Sequence, residues 1–228
     1  MKARRIAAAF ALIAAVAGAA RLEAQTIPSP YRHIESPHAI SVLGGYMNTD
    51  RGEMGLGVAS GPLFGVQYTG RFAGPVAGVV RVWGMSTERA ILSRDVSNAE
   101  AEPVVADETS SLLAGGEVGL RLLVTGPRTW YRLAPFVELT GGMLAVGGSR
   151  TEVESELPAN QVVDYGPTFA VGTALGTDWF LTDRFSVNVA GRGLLWRLTV
   201  PEGLTSNGRE DSEWTKNFGV TVGAAFHF

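Results

Sequence analysis

The sequence predicts an all-β protein, an eight-stranded antiparallel up-and-down transmembrane β-barrel, and three observations carry that prediction. The first is the strand that closes the chain. Over residues 214–228, Trp214, Phe218, Val220, Val222, Ala224, Phe226 and Phe228 occupy one face, while Asn217, Gly219, Thr221, Gly223, Ala225 and His227 occupy the other. Lys216 is the one polar member of the apolar row, near its outer end. A period of two held this long describes a strand with one apolar side. The second observation is that seven earlier segments alternate in the same way. The third is that compact and long connections take turns between them, as in a membrane barrel with short turns on one side and loops on the other.

The segments, in order, are 39–48, 63–72, 76–85, 112–124, 133–146, 165–180, 185–196 and 214–228. In the second, Phe64, Val66, Tyr68, Gly70 and Phe72 oppose Gly65, Gln67, Thr69 and Arg71. In the fourth, Leu112, Ala114, Gly116, Val118, Leu120 and Leu122 oppose Gly115, Glu117, Gly119 and Arg121. The fifth sets Val137, Leu139, Gly141 and Met143 against Phe136, Glu138, Thr140 and Gly142; the seventh sets Phe185, Val187 and Val189 against Ser186, Asn188, Ala190 and Arg192. Tilted strands of about 9–11 residues suffice to cross a bilayer.

The links 73–75, 125–132 and 181–184 are compact; 49–62, 86–111, 147–164 and 197–213 are long and polar. An even strand count then puts both termini on the short-turn side, predicted to be periplasmic. The second long link carries Glu88, Asp95, Glu100, Glu102, Asp107 and Glu108 against Arg89 and Arg94. The third carries Glu152, Glu154, Glu156 and Asp164 against Arg150. Solvated acidic loops are the plain reading of these runs, and divalent cations shared with lipid phosphates the sharper one. Trp83, Trp196 and Trp214 fall where strands meet long loops, and Trp130 and Trp179 fall by short turns. All five are predicted to form aromatic girdles at the two membrane interfaces.

The front of the chain points to export. Lys2, Arg4 and Arg5 precede an uncharged apolar run over 6–20, and Arg21-Leu22-Glu23-Ala24 supplies a cleavage site. The run is shorter than the roughly 20 residues of a spanning helix, so residues 1–24 are predicted to be a signal peptide. Residues 25–38, with Pro28, Pro30 and Pro37, are predicted to be an extended periplasmic lead-in, and 39–228 the barrel. Without its leader the chain keeps 15 of 19 basic and 21 of 22 acidic residues, a charge of about −6 in place of −3. That balance argues against nucleic acid as a partner. The chain has no Cys, which excludes disulfides, thiolate metal sites and a Cys nucleophile.

Alternation alone does not say which face meets lipid. Here the polar faces carry Arg81, Glu117, Arg121, Glu138, Asp178 and Arg192 among Gly, Ala, Ser and Thr. Mixed charges diluted by small residues suit a narrow interior better than a water-washed exterior. Eight strands leave a lumen just wide enough for side chains to fill. A tight turn at Gly74 sets Gln67 opposite Arg81, and the next hairpin brings Glu117 and Arg121 near Glu138. Arg81, Glu117, Arg121, Glu138 and Arg192 are therefore predicted to form a lumen charge network that closes the pore.

No catalytic constellation, cofactor site or metal site emerges. Gly55-Leu56-Gly57 and Gly141-Gly142 lack the strand-to-helix setting of phosphate loops. His33, His38 and His227 share no ligand spacing. His227 is read as an inward structural residue, with no Ser-containing motif near it. Arginines beside Glu117 and Glu138 argue against a proton-transfer pair.

With those residues in view, the chain resembles the small bacterial outer-membrane β-barrel proteins, the group of the outer-membrane protein A transmembrane domain. The resemblance rests on the leader, the eight alternating strands, the stretch Gly176-Thr177-Asp178-Trp179-Phe180-Leu181-Thr182-Asp183-Arg184-Phe185-Ser186, and the terminal Ala224-Ala225-Phe226-His227-Phe228. It implies residence in the outer membrane among its lipids. It also implies delivery by the barrel-assembly machinery, with Phe226 and Phe228 as the assembly signal. The fold hosts anchors, adhesins, pores and lipid-modifying enzymes, so activity does not follow from it. The lipid A deacylases of this shape carry a His and a Ser on an outward face, a pair this sequence does not present. Four functions stand in order. They are a non-enzymatic barrel with a structural or surface-interaction role through its acidic loops, a narrow gated pore, an outer-membrane lipid-modifying enzyme, and a secreted ligand-binding barrel.

Overall fold

Alternating segments of this kind close on themselves in the computed structural model, which describes residues 29–52, 55–94, 103–148, 151–163, 166–201, 203–205 and 212–228. The leader predicted over 1–24 lies outside the described residues, as do Asp95, Glu100, Glu102, Arg150 and Asp164 of the acidic links. The strands are β1 (Tyr31–His33), β2 (His38–Asn48), β3 (Gly61–Ala73), β4 (Val76–Ser93), β5 (Val104–Leu123), β6 (Arg128–Trp130), β7 (Leu133–Gly147), β8 (Thr168–Phe180), β9 (Phe185–Thr199) and β10 (Ser212–His227). Among the described residues one helix, α1 (Glu152–Glu156), lies between β7 and β8.

Eight strands form the wall in the order β2-β3-β4-β5-β7-β8-β9-β10, and β10 returns to β2. Every pairing is antiparallel. The fold is thus the closed eight-stranded up-and-down barrel that the sequence predicts. Closure runs to the last residue: Phe228 N donates to His38 O at 2.9 Å, and His38 N to Phe228 O at 3.2 Å. Burial alternates strictly along β10, with Val220 and Val222 outside and Thr221 and Gly223 inside. The outward row from Phe218 to Phe228 continues around the wall through Val42, Val66, Val82, Val118, Leu139, Leu175 and Val189, all exposed.

Three predictions need correction. Residues 86–111 are not one loop, because β4 and β5 continue past their neighbours as a hairpin, with Thr87 opposite Ser111 and Ser93 opposite Val104. Beyond the wall Ala90, Ile91 and Leu92 are buried in succession while Val104 to Glu108 are exposed in succession, so no alternating apolar row marks the hairpin. The sixth barrel strand begins at Thr168 rather than 165. Within the lead-in, β1 pairs with β6 inside the link 125–132, setting Tyr31 opposite Trp130. Finally, Trp83 and Trp196 are not interfacial. Both point into the lumen and are 3% and 2% exposed. Strand parity is the reason, since Trp83 shares a row with Arg81, and Trp196 with Arg192. Trp130, Trp179 and Trp214 do stand on the outer face, with Tyr46 and Phe64 near the loop end.

The interior is layered. At the short-turn end Ile34, Ala134 and Phe180 pack together, and Ile34 N is held by Pro127 O at 3.0 Å. The middle is polar. The loop end is apolar, built on Met47, Met85, Leu113, Leu144, Leu194 and Trp196 and roofed by Leu56, Val58 and Leu204 from the loops.

Candidate functional site

The middle layer is the densest chemistry in the molecule. It follows from register. The turn at Gly74 and Pro75 sets Ala73 opposite Val76, and a bulge between Arg71 and Ala73 then shifts the register by one, which places Gln67 against Arg81. The β4–β5 ladder then sets Arg81 against Glu117, and the β5–β7 ladder sets Arg121 against Glu138. All of these fall on inward rows, so the side chains converge on the barrel axis.

The bonds run unbroken across the lumen. Arg192 Nη2 donates to Glu117 Oε1 at 2.6 Å, and Arg81 Nη1 to Glu117 Oε2 at 3.2 Å. Arg81 Nη2 reaches Glu138 Oε2 at 2.6 Å. Arg121 holds the other Glu138 oxygen through Nη2 at 2.5 Å and Nε at 2.7 Å. Its Nη1 continues to Asp178 Oδ2 at 2.9 Å, and Asn188 Nδ2 closes the far end on Asp178 Oδ1 at 2.6 Å. Three arginines therefore meet three carboxylates, all almost wholly buried.

Neutral neighbours complete the shell. Gln67 Oε1 accepts from Arg81 Nε at 2.8 Å, Thr140 Oγ1 donates to Glu117 at 2.7 Å, and Arg121 lies 3.7 Å above the Phe136 ring. Trp83 Nε1 donates to Glu117 Oε1 at 2.6 Å. The tryptophan assigned to the membrane surface by its place along the strand is a member of the network instead. One donor, Arg192 Nη1, is buried without a protein partner. Buried ions so thoroughly bonded fix one another in place, because each carboxylate has two or more donors and little space to turn.

Sequence reasoning missed one contact at the short-turn end. Ser186 Oγ and His227 Nε2 lie 2.8 Å apart, both buried, although the sequence shows no serine near His227. They are 41 positions apart, and only the β9–β10 register brings them together. The pair lacks what a nucleophile requires. The nearby carboxylate, Asp178, spends its two oxygens on Arg121 and Asn188, and the imidazole lies tilted against the Phe180 ring, 4.7 Å between centroids.

The acidic links also hold a surprise. Glu154 is not solvated; it is buried in an ion pair with Arg89 of the hairpin, Nη2 to Oε2 at 2.8 Å. Thr151 caps α1, and its backbone N–H donates back to Glu154 Oε2 at 3.1 Å, a capping box. One carboxylate thereby ties a loop helix to the β4–β5 hairpin. Glu88, Asp107 and Glu108 remain exposed, with Arg51 3.0 Å from Glu108. Among the described residues no group of acidic or histidine side chains is arranged to hold a metal ion.

Set against known proteins, the chain matches no family profile and no curated protein. Solved structures do resemble it. Neisserial surface protein A is similar at a TM-score of 0.55 and 11% identity, over 85% of this chain and 98% of that one. The outer membrane protein OprG from Pseudomonas aeruginosa is similar at 0.49 and 12% identity, over 85% of this chain and 97% of that one. At such identities the likeness is one of fold. The fold is that of the small outer-membrane β-barrels.

Proposed function

We propose that the chain is an integral protein of the bacterial outer membrane that acts at the cell surface as a closed, non-enzymatic barrel. The short turns and both termini lie on the periplasmic side in this reading, and the β4–β5 hairpin stands in the medium outside. The observation that carries it is the network itself. A chain of ion pairs from Arg192 to Asp178 crosses the lumen at mid-depth, which supports a closed barrel over an open pore. The outward apolar row supports the membrane placement, with Trp130, Trp179 and Trp214 at its margins and Phe226 and Phe228 offered to the assembly machinery. The exposed acidic groups Glu88, Asp107 and Glu108 are the surface available to a partner. The protein reconstituted in planar lipid bilayers is expected to show no discrete conductance steps. Steady single-channel openings in the wild type would favour the narrow-pore reading instead.

A second reading draws on the loop-end layer. A cavity of about 200 Å³ lies there, lined by Leu113, Leu144, Val146, Trp196 and Leu198, where β8 stops short of its neighbours. Apolar walls of this kind suit a hydrocarbon chain. A dansylated fatty acid is expected to gain fluorescence with the wild type and to lose that gain with Leu144→Arg. Equal signals from both would remove this reading.

A further inference from the structure

A larger cavity, about 340 Å³, lies at the opposite end of the barrel, between the β1 segment and the β8–β9 turn. That volume is within the usual range for small-ligand sites. Its floor is formed by Ile34, Phe180 and Thr129. Its rim carries charges of both signs, with Arg32 and Arg132 beside Glu35 and Asp183, and His33 completes it.

Three features distinguish this cleft. The opposite charges do not neutralise one another, since no salt bridge joins them among the described residues. Arg132 uses one guanidinium nitrogen, Nη1, on Leu181 O at 3.2 Å, and otherwise faces outward. The Thr129 hydroxyl is buried at 4% exposure and has no hydrogen-bond partner. The backbone is also held in an unfavourable form, for Tyr131 and Arg132 have φ of 47° and 68°. They are the two central residues of a hairpin turn whose twist calls for such values, and Asn-Gly would adopt them with less strain. A turn that keeps Tyr and Arg there retains their side chains against a backbone cost, a pattern that clusters at functional sites.

The depth of the cleft says what could fill it. Trp130 and Tyr131, in edge contact at 5.3 Å, and Trp179 stand exposed beside it. Amphipathic rings of this kind settle at headgroup level. A ligand at that level, with an anion for the arginines and a cation for the carboxylates, has the chemistry of a zwitterionic lipid headgroup. We propose that the cleft binds the headgroup of a zwitterionic phospholipid in the periplasmic leaflet. The phosphodiester sits against Arg132 and Arg32, the ammonium against Asp183 and Glu35, and the Thr129 hydroxyl donates to a lipid oxygen. The inference rests on the membrane placement proposed above.

The test uses the whole chain in nanodiscs made of equal parts phosphatidylethanolamine and phosphatidylglycerol, with retained lipids counted by native mass spectrometry after gentle release. The wild type is expected to keep phosphatidylethanolamine with a roughly tenfold preference, the scale of one charge-assisted hydrogen bond. R32A/R132A is expected to retain neither lipid. E35Q/D183N is expected to bind both equally, because only the ammonium has lost its partners. Excess soluble phosphoethanolamine should leave the lipid in place, and its release would assign the cleft to a soluble phosphate ester instead. A wild type with no preference, or a preference unchanged in R32A/R132A, would overturn the headgroup site while leaving the membrane placement intact. Failure of the folded chain to enter nanodiscs at all would overturn the placement itself.

Discussion

The middle and loop-end layers of the lumen are lined by the same strands, with the same alternation, yet they are held by opposite means. In the middle, Arg81, Glu117, Arg121, Glu138, Asp178 and Arg192 are fixed by directional bonds between full charges. Four residues further along the same rows, Met85, Leu113, Trp196 and their neighbours fill space without direction. The difference teaches where each layer is fragile. An ionic layer fails when one member is removed, because an orphaned charge stays buried. An apolar layer fails in proportion to the volume lost.

The sharpest break of that contrast is Glu138→Ala. It leaves three buried arginines facing two carboxylates, and is expected to lower unfolding stability by about 3–5 kcal/mol in urea titrations from lipid vesicles. Leu194→Ala in the apolar layer is expected to cost about 2–4 kcal/mol by the same titration. The comparison sharpens with shape-preserving changes. Leu194→Met should cost under about 1.5 kcal/mol, since volume is kept, whereas Glu138→Gln, equally close in shape, should still cost more than that because a buried charge loses its counter-ion. Equal losses for the two conservative variants would erase the distinction between the layers. Arg89→Ala acts outside both. It is expected to leave barrel stability within about 0.5–1 kcal/mol, yet to expose 151–163 to limited proteolysis by releasing Glu154 from the hairpin.

Much of this was legible in the sequence, and the exceptions have physical causes. Period-two alternation identified eight strands, and a turn centred on Gly74 anticipated Gln67 against Arg81, a register the chain reaches through the Ala73–Val76 turn and a bulge between Arg71 and Ala73. Parity would also have placed Trp83 and Trp196 inside, because they are two and four positions from Arg81 and Arg192 on the same faces. Judging them by distance along the strand hid that. The β4–β5 extension showed no period of two, since Ala90, Ile91 and Leu92 are buried in succession and Val104 to Glu108 are exposed in succession. Ser186 and His227 meet only through a ladder between distant segments, and the β1–β6 pairing joins two three-residue strands too short to show a period.

The measurement that bears most directly on the account is the environment of its outer faces. The chain has no Cys, so a single nitroxide can be placed by cysteine substitution at Val82, Val118 or Val220, with Val105 of the hairpin as the reference. In lipid vesicles the first three are predicted to be relaxed strongly by oxygen and hardly at all by a water-soluble nickel complex, and Val105 the reverse. Nickel relaxation at Val220 as strong as at Val105 would contradict a barrel that turns its apolar rows to lipid and its charges inward.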